Sequence, residues 1–310
     1  MPYSDRMQRS HLYSTFFAPR GYVRMADLGM QIAQQYLSPF DKLVGLVGDA
    51  GSGKSMLIKG MFPGLDLSND DEGVNERPLP LLGIYEQEDT FYSPHTYHVD
   101  IRFEAAFTQM HMLADAIQEA VRRGKRVIVE HFDLIYPFLD RNAHLLIGIG
   151  EELIITRPTL FGPEPKDIAN IVMASLGFRR MTHSGEDIVA YLLQQKGFPD
   201  TYEHADVRHG FIFKFYEKPD IDLVQLEKEA NEMVAKDVTI SFLDDDHILI
   251  GQDSHPCSGP RMHVKSAGDI QKITINPEFL VEPITNYYLL VAIVGEHAER
   301  PISDLNRIIP

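Results

Sequence analysis

The chain has 310 residues, room for two domains, and its 44% apolar and 24% charged residues are the balance of a soluble globular protein. A net charge of −16, shared by both halves, excludes broad non-specific nucleic-acid binding, which needs Lys and Arg to neutralise phosphates. A lone cysteine, Cys257, excludes an intrachain disulfide and fits a reducing compartment, no apolar run approaches the ~20 residues that span a bilayer, and the first segment lacks a signal-peptide core, so the expectation is a cytoplasmic protein without a membrane partner.

Residues 1–21 read as irregular, ending at Pro19 and Gly21, and 22–37 as a helix with Val23, Leu28, Ile32 and Tyr36 on one face, stopped by Ser38-Pro39. A buried strand, Leu43 to Val47, comes next. After Gly60 the pattern is loop-rich: an acidic segment at 68–78, a short strand at 79–85 weakened by Pro80, and a polar loop carrying Glu88, Asp89, His95, His98 and Asp100. An amphipathic helix is predicted over 102–123, a buried strand over 126–130, a helix or turn over 133–142, and a further strand within 145–155. Strands alternating with helices predict an α/β domain with a mainly parallel sheet over residues 1–165. The proline-rich stretch 157–168 reads as a linker, although 167–176 has helical character. A smaller α+β region over 166–310 follows, with helices at 185–195 and 223–236 and strands at 209–216, 237–243, 246–251, 270–275 and 286–294.

The most specific motif is Gly48-Asp49-Ala50-Gly51-Ser52-Gly53-Lys54-Ser55, which follows a strand and opens a helix. Glycines let successive N–H groups turn inward as an anion nest, and the helix N-terminus adds partial positive charge. Lys54 has the reach for β- and γ-phosphates and Ser55 the hydroxyl for Mg²⁺. The pattern predicts nucleoside triphosphate binding, with ATP the expected ligand. An acid at the end of a neighbouring strand usually completes such a site, and Glu130, closing RVIVE, fills that role; the alternative is a glutamate capping a strand at the surface. Asp70, with Asp71, is a second acid, able to face an acceptor hydroxyl or simply to form a solvated turn. Arg141 is a lid arginine to stabilise transferred charge, with Arg157 a comparable choice. His95, His98 and Asp100, with His131 and Asp133, offer a metal-binding set, against the commoner case of histidines bonded or exposed in polar loops.

In the second half His183 and Asp187, four apart at a helical spacing, share a face; Cys257 and His263 form a loop pair, with His255 nearby. Two such pairs can make a four-coordinate zinc site.

The loop with Glu130 resembles the uridine-kinase-like branch of P-loop kinases. The run from RRMTHSGEDIVAYLL (179–193), through Gly197, Phe213 to Phe215 and Glu229 to Glu232, to Cys257–Val264 and Ala267-Gly268-Asp269-Ile270, resembles the editing domain of alanyl-tRNA synthetases and the free-standing alanyl-tRNA editing proteins. Its Cys257 end resembles the second additional domain of threonyl- and alanyl-tRNA synthetases. The likeness covers about residues 178–275. It implies a zinc site at His183, Asp187, Cys257 and His263 and hydrolysis of mischarged tRNA. Asp187 stands where the family has histidine, the Cys257-to-His263 spacing is two residues longer, and NYYLLVAIV (286–294) replaces a Gly-x-Arg-Arg-Ile pattern.

Three functions follow. The first is a kinase-like phosphotransferase that uses ATP·Mg²⁺ on a small acceptor, with Lys54, Glu130, Asp70 and Arg141 catalytic. The second is a metal-dependent aminoacyl-tRNA deacylase with an appended ATPase, disfavoured by the acidic charge. The third is a nucleotide-switched binding protein.

Overall fold

The structure, a computed structural model, describes residues 13–68, 79–85, 94–199, 201–259, 261–296 and 305–306. The chain divides into two compact units, Met1–Ala18 with Val23–Ala174, and Pro19–Tyr22 with Ser175–Pro310.

The elements of the first unit begin with β1 (Ser14–Phe17), α1 (Tyr22–Tyr36), β2 (Leu43–Val47) and α2 (Lys54–Met61). They continue with β3 (Thr96–Asp100), α3 (Ile101–Glu104), α4 (Met110–Arg122), β4 (Arg126–Glu130), α5 (Phe132–Ile135), β5 (Leu145–Ile149) and β6 (Glu152–Thr156). Six strands form one mixed sheet in the order β1-β6-β5-β2-β4-β3. β3, β4, β2 and β5 run parallel, and β6 and β1 add antiparallel at one edge. The central strands LVGLV and LLIGI are buried at every residue because both faces are covered. Leu43, Val47, Val127 and Val129 pack with Leu113 and Ile117 of α4 on one face; Val44, Leu46 and Ile128 pack with Ile32 of α1 and Leu57 of α2 on the other. Gly45 has no room for a side chain, since a Cβ would stand 2.6 Å from the Phe132 ring.

Several local expectations change. The predicted strand at 79–85 is a 3-10 turn, Pro80–Tyr85, that buries Leu81 and Ile84; Pro80 has no N–H to give to a ladder. The helix expected over 102–123 breaks into α3 and α4, with the N–H groups of Phe107 and Thr108 both bonded to Glu104 O. The single strand within 145–155 is a hairpin, β5 to β6, turning at Gly150. Residues Ser14–Phe17, expected to be irregular, form edge strand β1 on β6. The acidic segment 69–78 and the residues 86–93 lie outside the described residues.

Beyond Thr156 the chain forms one 31-residue helix, α6 (Pro165–Gln195), where two separate helices were expected. Gly177 lies within it without a left-handed angle and with open space around it. The second unit continues with β7 (Glu203–Val207), β8 (Gly210–Phe215), α7 (Leu223–Ala235), β9 (Ile240–Asp244), β10 (His247–Ile250) and β11 (Asp253–Pro256). It ends with β12 (Ile273–Ile275), β13 (Leu280–Val281) and β14 (Tyr288–Val294). β9, β10 and β11 make an antiparallel meander; β12-β14-β8-β7, with β13 on β14, makes a second antiparallel sheet. Ile188 and Leu193 of α6 and Leu226 of α7 pack with Phe211 and Phe213 of β8 in its core. β7 and β11 were not anticipated. The fold is thus an α/β unit with a mixed sheet followed by an α+β unit with antiparallel sheets. No helix among the described residues is long and apolar enough to cross a membrane.

Two glycine substitutions test this packing in opposite directions. A Cβ on Gly60 of α2 would collide with the Ala26 carbonyl of α1. Gly60→Ala is expected to lower the free energy of unfolding by about 1–3 kcal/mol in urea titrations. Exposed Gly177 meets nothing, so Gly177→Ala is expected to raise it by about 0.5–1 kcal/mol through helix propensity.

Candidate functional site

The loop after β2 is shaped by its glycines. Gly51 (φ 77°) and Gly53 (φ 94°) are left-handed, a conformation other residues adopt at a cost. At Gly48 a Cβ would stand 2.8 Å from Ser52 Oγ and 3.0 Å from the Ile149 carbonyl. Helix α2 starts at Lys54, whose ammonium folds back over the loop and donates to the carbonyls of Asp49 (2.8 Å) and Gly48 (3.2 Å). Burial lowers the Lys54 pKa, and the nearby carboxylates, Glu130 first, work against that.

Parallel pairing sets Glu130 of β4 beside Leu46 of β2. Its Oε1 accepts the Ser55 hydroxyl (3.0 Å) and its Oε2 lies 3.7 Å from Lys54 Nζ. A third partner is His98 of β3. The Ser68 N–H donates to His98 Nδ1 (3.0 Å), which leaves Nε2 protonated to donate to Glu130 Oε1 (3.2 Å). Burial by itself would raise the Glu130 pKa; His98, Lys54 and Ser55 together outweigh it and hold the carboxyl below its ordinary value. Glu130 is therefore a fixed anion that orients its neighbours, and a poor acceptor of protons. Next to it, Asp100, Glu130 and His131 bring one donor atom each within 4.8 Å of one another. Burial, and then the Lys54 charge, push the His131 pKa down to about 4. Arg102 of α3 reaches the loop rim and pairs with Asp49 (3.4 Å).

Other residues singled out in the sequence lie elsewhere. Asp70 is outside the described residues. Arg141 is not brought to the loop. It pairs with Asp140 and lines a cavity of about 670 Å³ with Ser38, Asp41, His144 and Arg157. Ser38 and Asp41 precede β2 and His144 precedes β5, so this cavity lies at the amino ends of strands whose carboxyl ends face the loop. Arg157 is locked there, bonding both Asp41 oxygens at 2.6 and 2.8 Å. His95 is exposed and His98 serves Glu130, so the expected His95–His98–Asp100 set does not assemble. Arg102 went unnoticed because only the β3–α3 connection carries it to the loop.

In the second unit, His183 and Asp187 project from one face of α6, while Cys257 follows β11 and a turn through Met262 returns His263 to it. Cys257 Sγ lies 3.4 Å from His183 Nε2 and 3.3 Å from His263 Nε2, and His263 Nε2 lies 3.5 Å from Asp187 Oδ2. The two extra residues between Cys257 and His263 are taken up by the turn. Tetrahedral zinc, with bonds of roughly 2.0–2.3 Å, requires donor separations of roughly 3.3–3.6 Å, and a thiol, two imidazoles and a carboxylate are zinc donors. The residues therefore fit the ion. Their outer partners also suit it. His183 Nδ1 faces the Met262 carbonyl (3.3 Å), which turns its Nε2 lone pair inward. Ser184 Oγ accepts the Val264 N–H and sits 3.2 Å from His263 Nδ1. Burial raises the Cys257 pKa, with Asp187 adding to it, raises that of Asp187 to about 8, with Glu186 adding to it, and lowers that of His263 to about 4. Each shift disfavours charge, and a divalent cation reverses that preference.

The segment Pro19–Tyr22 lies against this cluster. Arg179 donates to the Pro19 carbonyl (2.7 Å), Arg20 pairs with Glu186 (2.5 Å) and Asp206 (2.8 Å), and the Tyr22 N–H reaches the Ser258 carbonyl (3.3 Å). A side chain on Gly259 would meet both the Arg20 carbonyl and the His183 ring. Neither this strap nor Ser184 carried any signal in the sequence.

No family model matches the sequence, and no curated protein is significantly similar to it.

The Asp187 shift has a pH signature. In the folded metal-free chain Asp187 keeps its proton to about pH 8, and when unfolded only to its ordinary 3.8. The folded chain binds more protons between those values, so stability falls as pH rises through them. His263, shifted to about 4, acts in the opposite sense below its ordinary 6.5. Between pH 6.5 and 8 the metal-free chain is therefore expected to lose stability by up to about 1.4 kcal/mol per unit, measured as urea midpoints. Asp187→Asn without metal is expected to flatten that slope, and saturating Zn²⁺, which takes the proton from Cys257 as well as from Asp187, is expected to reverse it.

Proposed function

We propose that the first unit binds a nucleoside triphosphate, ATP in the first instance, and transfers its γ-phosphoryl group to a small hydroxyl acceptor. The observation that carries this reading is the junction of Lys54, Ser55 and Glu130 at the mouth of a glycine loop that ends on a helix N-terminus. Lys54 is poised to exchange two loop carbonyls for phosphate oxygens, which are stronger, charged acceptors. Ser55 would hold Mg²⁺, whose charge neutralises the phosphates. Glu130, bonded to Ser55 and His98, fixes that hydroxyl. Arg102, on the rim, takes the charge-stabilising part first given to Arg141. Dissociative phosphoryl transfer needs positioning and electrostatics more than a strong base, and an ionised, immobilised Glu130 suits it.

For the second unit we favour a structural metal site over a hydrolytic one. Catalytic zinc keeps an open position, whereas here four protein donors lie within 4.8 Å of one another, three of their separations at 3.3–3.5 Å, with Pro19–Tyr22 packed against them. Sparse bases and an acidic chain weigh against tRNA as well. The unit is then a metal-clipped domain that recognises the acceptor or a related small ligand.

The test is nucleotide binding by fluorescence titration, with turnover measured against a panel of hydroxyl compounds. Lys54→Ala is expected to weaken ATP binding on the order of tenfold or more. Glu130→Gln is expected to keep binding within a few-fold and to lose turnover by on the order of 10²-fold. Wild-type protein that binds no nucleotide in the presence of Mg²⁺ would rule the reading out.

A further inference from the structure

Three donors meet at the carboxyl ends of β3 and β4, and two of them, Asp100 and His131, have no part in the phosphoryl transfer described above. Asp100 ends β3 and Glu130 ends β4, and the two are register partners. His131 follows directly, with a left-handed backbone (φ 57°) that starts α5. All three are buried, and His131 is only 6% exposed. Its imidazole has no hydrogen-bond partner among the described residues, although a ring nitrogen lies within 4.8 Å of an oxygen of each carboxylate. The neighbouring imidazole, His98, has both nitrogens occupied, by Ser68 and Glu130. Three buried donors of the kinds that ligate metals, mutually within 4.8 Å, form a set that one cation could bridge.

We propose that Asp100, Glu130 and His131 hold a divalent cation directly, before any nucleotide arrives, and that this ion is of the imidazole-accepting class typified by Mn²⁺ rather than Mg²⁺. Two carboxylates balance the charge of the ion. One imidazole with two carboxylates is three protein ligands, which leaves positions on the ion open for water or phosphate oxygen. Mg²⁺ prefers oxygen donors and retains its waters, so a histidine in the set shifts the preference toward Mn²⁺, Fe²⁺ or Co²⁺. The charged groups facing the cluster are Lys54, 3.7 Å from Glu130 Oε2, and Arg102, paired with Asp49. Both repel the ion and both would turn to phosphate when nucleotide binds. The ion therefore binds moderately on its own and more tightly with nucleotide. The site adjoins the loop given to nucleotide above and to that extent rests on that reading, but nucleotide-free uptake of Mn²⁺ does not.

The experiment is Mn²⁺ titration of the full chain without nucleotide, read as loss of the free-ion electron paramagnetic resonance signal, with nucleotide binding measured separately. The variants preserve the backbone. Asn tolerates the angle at His131, and Asp100→Asn keeps an oxygen for the Phe103 N–H that Asp100 caps (3.1 Å). Wild type is expected to take up Mn²⁺, His131→Asn and Asp100→Asn to bind it at least tenfold more weakly, and His95→Asn, an exposed histidine outside both metal-donor clusters, to bind it like wild type. Lys54→Ala is expected to bind Mn²⁺ more tightly while losing nucleotide. Uptake unchanged in His131→Asn and Asp100→Asn, or absent until nucleotide is added, overturns the proposal. Mn²⁺ uptake in a protein that binds no nucleotide would leave the cation site standing and remove the phosphotransferase.

Discussion

Lys54 and Glu130 are almost completely withdrawn from water, at 4% and 2% side-chain exposure. Neither charge is tolerable there alone, because an unpaired buried ion costs several kcal/mol. Each is held by more than the other. Lys54 has two carbonyls of its own loop, and Glu130 has the Ser55 hydroxyl and the His98 imidazole. The loop conformation, the start of α2 and the pairing of β3, β4 and β2 all serve that arrangement. If β4 slipped by one residue, Glu130 would point to the other face and the lysine would be stranded. The local fold is thus what the charges require, and the charges in turn hold the loop in its shape.

The loop was legible in the sequence because its demands are local. Positive φ at Gly51 and Gly53 and the lysine at the helix start follow from neighbours along the chain. Glu130 was legible for the same reason, at the end of an uninterrupted buried strand. Partnerships made across the sheet were not. His98 belongs to Glu130 only because β3 and β4 pair in register, and its polar loop context pointed instead to a metal. Arg141 shows the limit most clearly. Its distance in sequence from Glu130 is short, but the chain between them runs back past the sheet, and the arginine ends at the amino end of β5. Sequence proximity does not say which end of a parallel sheet a residue occupies.

In the second half the legible part was again what a helix dictates. The four-residue spacing put His183 and Asp187 on one face without knowledge of the fold. Cys257 and His263 come back to that face through a meander of which one strand, β11, was not foreseen, and the extra length between them becomes a turn. The proline-rich stretch 157–168 read as a linker, with separate helices at 167–176 and 185–195, yet one helix runs from Pro165 to Gln195 and passes through Gly177. An exposed glycine weakens a helix by about 1 kcal/mol, and the burial of Ile188, Val189 and Leu193 further along outweighs that. Edge strand β1 was missed because a strand on the rim of a sheet needs little apolar patterning of its own.

The two clusters of metal-donor side chains differ in a way that separates their roles. His183, Asp187, Cys257 and His263 form a complete set, with Met262 and Ser184 behind the rings and a strap packed alongside. Such a set would be finished once a cation enters, and the consequence proposed for it is stability. Asp100, Glu130 and His131 form an incomplete set. One carboxylate already serves a hydroxyl and an imidazole, and two basic side chains face the cluster. Incompleteness is what a site needs if a second ligand is to finish it. A phosphate group would supply the missing oxygens and, in the same step, draw Lys54 and Arg102 away from the carboxylates they now face. On the proposed reading, loop and cluster would form a single electrostatic unit, in which phosphate draws off the cationic side chains that oppose the metal ion.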